Sequence, residues 1–368
     1  MNNHSVPRLQ AHDPGDIAQI VPHLIGFQPH ESLVVIVTLQ GRVQVTARAD
    51  LADLLPPGSA EHLLDRIWSR FPTAGAHLIA YTSDHDTGWA LLRRCENHLP
   101  PFADRGSMII DADTWHSGDG ESGPVDPHGR LAAEAAYLGL AVLPSRAELD
   151  ARFASADDTP ALHAAQDRAL ATLPDPGDKA AIAARVRTLL ARNLPDPKQR
   201  GGTTDLSQVD ALQLAALVAA GTGRDLALVS ITRDNADQHL QLWRSVVNQT
   251  PPSGAEMPLY LAGMAAWVSG DGASAVVALE RAQAVAGHGI RPHALLDALI
   301  DQVVHPDTWP QLREQILTQS EPAVRQALNQ PTRGGRGAVW EAVPSPHGTT
   351  RSPLHTTPLN PPAPGVAI

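Results

Sequence analysis

The sequence predicts an α/β domain built on a mixed sheet, then an all-α helical domain, then a disordered Pro-rich tail. Three observations carry this. β-branched runs alternate with amphipathic helical segments up to about residue 155. Beyond that point strand signals vanish and Ala-rich helical patterns follow one another. The last 38 residues hold eight prolines and few large apolar groups, too few to offset the entropy of ordering them. The expected boundaries are 13–155, 156–330 and 331–368, with "GAVWEAV" (337–343) the one apolar island of the tail.

Each element has its own signal. Residues 13–26 read as a helix: Asp13 suits the cap, Pro14 the first turn, and Ile17, Ile20, Val21, Leu24 and Ile25 recur at helical spacing. Pro22 is a candidate kink, and Gly26 a stop. Gln28 to Ser32 form the corner into "SLVVIVTL" (32–39), a run apolar enough for a strand buried on both faces. Gly41 marks a turn into 42–51, where Val43, Val45, Ala47 and Ala49 alternate with polar residues as in a half-buried hairpin partner. A helix over 58–71 capped by Ser59, a strand over 75–82, a helix over 86–99, a strand over 106–115 and a helix near 129–140 complete the first domain. In the second, Leu206, Val209, Leu212, Ala216, Leu217 and Ala220 form a stripe that Gly221 closes. Residues 261–285 read as a helical hairpin turning at Ser269–Gly272.

Composition narrows the function classes. The net charge is −11, so a general phosphate-binding surface and attraction to anionic membranes are disfavoured, although a local basic groove is compatible with it. Nucleic acid is therefore an unexpected partner. Cys95 alone excludes a disulfide framework and Cys-based zinc clusters. No apolar run reaches membrane-spanning length, and the polar N-terminus lacks a signal-peptide core, so a soluble cytoplasmic protein is expected.

"PHLIGFQPHESLVV" (22–35), with Arg48, Asp50 and Leu51 and with Ser145, Arg146, Glu148 and Leu149, resembles the DUF4192 family of uncharacterised, mainly actinobacterial proteins. The stretch 261–282 also resembles the family's helical ending. The resemblance implies the two-part architecture and carries no activity. Separately, Gly263, Ala266, Gly270, Ala275, Leu279 and Ala282 are spaced as in a tetratricopeptide-like helix pair, but no second copy lies 34 residues away. Generic close packing and a TPR-like peptide groove are both consistent with it.

Six residues are candidate ligand contacts. Arg48 and Asp50 share a strand face, either as an exposed pair or as a clamp on an anion. Asp84 follows a strand, where open α/β sheets bind ligands, and is equally a natural helix cap. Trp115 and Asp126 belong to the longest polar loop, 114–130: Trp115 suits an anchor, and Asp126 with His116 and His128 suits acid–base or metal chemistry, a plain linker being the alternative. Arg146 either faces a ligand or clamps the loop to the helical half. Cys95 stands beside Arg93 and Arg94, which would lower its pKa if it is not buried. No nucleophile elbow, Walker loop, dinucleotide fingerprint or zinc spacing occurs, so no catalytic residue, metal or cofactor is assigned. The expectation is a non-enzymatic protein that binds a protein or peptide partner through its helical domain; the alternative is an enzyme or small-ligand sensor working at the strand ends.

Overall fold

Asp13 accepts a hydrogen bond from the Asp16 amide and starts α1 (Pro14–Ile25), which Gly26 ends at φ 78°. The structure, a computed structural model, describes residues 9–100, 105–195, 206–219, 221–286 and 293–330. The expected tail from 331 lies outside them. Strands β1 (Ser32–Leu39), β2 (Arg42–Asp50), β3 (Gly75–Tyr81), β4 (Arg105–Asp111), β5 (Thr114–Ser117) and β6 (Ser122–Pro124) form one sheet in the order β2-β1-β3-β4-β5-β6. Helices α2 (Leu51–Leu54), α3 (Ser59–Arg70), α4 (His85–His98), α5 (Arg130–Tyr137) and α6 (Arg146–Ala151) lie among and after them. Only β3 and β4, joined through α4, run parallel; the other pairs are antiparallel.

β1 is uniformly apolar because it is covered on both faces. Leu33, Val35 and Val37 point toward α3 and α4, where Leu64, Ile67, Leu92 and Cys95 close one core. Val34 and Ile36 point the other way, toward α1, Phe27 and Phe153. The hairpin turn places Gln40 and Gly41 at φ 53° and 70°, the left-handed pair a two-residue connection requires.

After residue 155 the described chain is helical: α7 (Pro160–Leu170), α8 (Lys179–Asn193), α9 (Gln208–Val218), α10 (Gly221–Val229), α11 (Ala236–Val247), α12 (Glu256–Ser269), α13 (Gly272–Val285), α14 (Ala294–Asp301), α15 (Trp309–Gln319) and α16 (Pro322–Asn329). The expected hairpin is α12–α13, with Gly270 at φ 91° and Asp271 capping α13 through the Ser274 amide. A Cβ on Gly263 would lie 3.3 Å from that of Ala278, so glycine lets these helices approach. Every residue from Met257 to Val268 is buried. The apolar cluster on the α1 face of the sheet continues through Leu149 and Phe153 to Trp243 and Trp309, so one core spans both sides of residue 155. Among the described residues no helix is long and apolar enough to cross a membrane.

Four local expectations are corrected. The strand expected over 106–115 ends at Asp111; Ala112, at φ 49°, turns the chain back, and Trp115 sits in β5 opposite Ile110. Asp113 is the one turn former in that Ala112–Asp113 pair, a weaker mark than the Gly or Pro that punctuates other turns. The alternation in β2 breaks at a bulge between Val37 and Thr38, which sends Val43 to the α1 face while Val45, Ala47 and Ala49 stay on the α3–α4 face. Gly58, at φ 88°, holds the cap position of α3, with no side-chain cap from Ser59. Gly221 opens α10 rather than closing the preceding helix, and Val209 is 51% exposed, outside the buried stripe.

Candidate functional site

Two ends of the sheet collect polar residues. At the carboxyl ends of β3 and β4, Glu31 adopts φ 40°, an uncommon conformation for a residue with a side chain. Its carboxylate accepts from the Thr82 hydroxyl at 3.1 Å. Thr82 Oγ1 in turn accepts from the Asp84 amide. Asp84 caps α4, and the Thr87 donors hold its carboxyl below the usual range. Next to it, His85 Nε2 lies 3.3 Å from Asp111 Oδ2, and its ring meets that of His116 edge-on at 4.8 Å.

Arg48 and Asp50 belong to the same end. Arg48 donates from Nε to Ser32 Oγ at 2.9 Å and from Nη2 to Asp50 Oδ1 at 2.6 Å, with its guanidinium 5.9 Å from the Phe27 ring centroid. Ser32 donates onward to the His30 carbonyl. The corner 27–32 is thus tied to the end of β2 by one arginine whose side chain is only 14% exposed. Arg48→Ala should cost about 2 kcal/mol in urea unfolding, because the buried Ser32 hydroxyl loses its donor, the Phe27 ring loses its cation and the half-exposed Asp50 carboxylate loses its partner. Asp50→Asn, on a half-exposed carboxylate, should cost under about 0.5 kcal/mol.

The other candidates are placed apart. Trp115 lies on the α1 face, where a Cβ on Gly15 would be 3.2 Å from its Nε1, so it packs a helix start instead of presenting a free ring. Its neighbour His116 joins His85, not Asp126 or His128. Asp126 accepts from the His128 amide and shapes the turn before α5. Arg146 pairs with Glu280 on α13 while Asp150 receives Arg281, so α6 is clamped to the helical half. Cys95 is buried, and burial pushes its thiol up to about 11 against a partial offset from Arg94. Among the described residues no group of three or more His, Cys, Asp or Glu could hold a metal.

The opposite end of the sheet carries a half-open groove of about 1450 Å³. One wall is apolar: Ile17, Ile20 and Leu24 of α1, Ile36 and Val43 of the hairpin, and Met108. The other carries Trp89, Arg93 and Glu96 of α4, with Arg105. Arg42 stands at the hairpin turn between them. Trp89, Arg93 and Glu96 are four and then three apart on one helix face, a spacing visible in the sequence but there read only as the surroundings of Cys95.

A mixed sheet with helices on both faces, continuous with a helical bundle, defines the class: a two-part α/β–α protein with a polar cluster at one end of its sheet and a groove at the other. The chain belongs to the DUF4192 family, a domain of unknown function whose model matches residues 14–307. Neither a curated protein nor a solved structure matches it.

Proposed function

We propose that this protein is a non-catalytic binding module that docks an extended segment of a partner protein in the groove between α1 and α4. The groove itself carries the reading. Small-molecule sites usually enclose about 300–1,000 Å³ and most of their ligand. This one is larger and open along one side, which suits a chain passing through it. The helical half supports docking less well, since the residues of α12 from Met257 to Val268 are all buried.

Peptide display on the full chain tests this. Selection should enrich sequences that bind wild type and the α15 surface variant Gln315→Trp but not Thr38→Trp, which fills the groove. Equal binding to all three would contradict the reading, provided their melting temperatures agree.

A second reading places a small ligand at the carboxyl ends of β3 and β4. The left-handed Glu31 favours it, because residues held in sparsely populated backbone regions cluster at functional sites.

A further inference from the structure

We infer that the segment docked in the groove is acidic and amphipathic, with apolar side chains against α1 and carboxylates toward Arg42 and Arg93; this rests on the docking reading above. The distribution of charge around the groove supports this. The protein as a whole is acidic, at −11, yet three arginines, Arg42, Arg93 and Arg105, line this one groove. The acids beside them are partly committed. Asp13 accepts from the Asp16 amide to cap α1. Asp119 accepts from Ser117, whose hydroxyl holds its carboxyl below the usual range. Arg105 donates to the Glu96 main-chain carbonyl, which leaves the Glu96 carboxylate as the one acid of the groove with no partner among the described residues. Two guanidinium groups stand against it: neither the Arg42 nor the Arg93 side chain has a partner among the described residues, and Arg93 is exposed.

The two walls differ in kind. Ile17, Ile20, Leu24, Ile36, Val43 and Met108 offer only apolar surface, so an occupant made of charge alone would leave that wall wet. An occupant made of apolar groups alone would desolvate Arg93 without pairing it. A segment with one apolar and one acidic side satisfies both walls. Nucleic acid fits less well, because tight binding without base contacts needs many phosphate contacts and the groove has three arginines.

The test uses the full chain and short synthetic peptides built on one display-selected apolar frame, carrying Glu, Gln or Lys at the polar positions. Acidic peptides should bind best and weaken as salt rises. Arg93→Glu should weaken the acidic peptide by about tenfold and reverse the order of the Glu and Lys versions. If Glu and Gln versions bind equally and Thr38→Trp abolishes both, the acidic assignment is wrong and the docking reading stands. If no version binds wild type, both fail. Single-stranded DNA binding more tightly than the Glu peptide, and lost in Thr38→Trp, would overturn the inference in favour of a nucleic-acid groove.

Discussion

Trp309→Ala should remove about 4–8 kcal/mol of stability, a large part of the roughly 5–15 kcal/mol that holds a native domain together. Trp309 is 1% exposed and lies at the start of α15. Its indole N–H donates to the Ile231 carbonyl at 2.9 Å. Its ring meets Trp267 edge-on at 6.3 Å, and Trp267 donates to the Val304 carbonyl at 3.2 Å. Truncation therefore opens a cavity worth about 3–5 kcal/mol and strands a carbonyl worth about 1–3 kcal/mol. Trp309→Phe keeps much of the volume and should lose about 1–2 kcal/mol, mainly the hydrogen bond. Urea midpoints at constant slope would measure both. A Trp309→Ala loss below about 1 kcal/mol would mean that this core is not packed as described.

Stability should also fall as pH drops from about 6.5, and His239 should account for a distinct share. His239 lies wholly inside the helical half on α11, with its ring set beside the Ser230 backbone. Burial lowers its pKa to about 3, and the neighbouring Ser230 backbone offsets only part of that. The sign follows from the proton balance. Above the unfolded value of about 6.5 the ring is neutral in both states and its contribution is fully present. Below 6.5 the unfolded chain takes up a proton that the folded chain refuses, so stability is lost progressively down to about pH 3. Each pH unit well inside that window costs about 1.4 kcal/mol, giving about 2 kcal/mol between pH 6.5 and 5. His239→Met should remove that share of the slope while other titrating groups keep theirs. An unchanged slope would mean that the ring reaches solvent or a partner.

Some of this was legible in the sequence because the physics is local. β1 announced itself because burial on both faces demands an unbroken apolar run. The α12–α13 turn did so because Gly270 must adopt φ 91° and Asp271 must cap. Asp84 was readable as a cap and Arg146 as a clamp for the same reason. What escaped depends on events across the chain. The bulge opposite Val37–Thr38 shifts the phase of β2 without any Gly or Pro to mark it. The Ala112–Asp113 turn carries no Gly or Pro either, so the sequence places Trp115 where a strand over 106–115 runs into a loop, whereas it belongs to a separate strand packed on Gly15. The His85–Asp111–His116 grouping joins the start of a helix to two strands, and no spacing rule links those positions. The groove is the extreme case. Its walls come from α1, a hairpin, α4 and the start of β4, and each looks ordinary alone.

Hydrogen exchange on the full chain, with and without a saturating display-selected peptide, tests the central claim most directly. Docking between α1 and α4 predicts slowed exchange over residues 9–17, 36–43 and 105–120, with α13–α15 unchanged. Protection confined to α13–α15, or to the carboxyl end at 27–32 and 82–86, would contradict it.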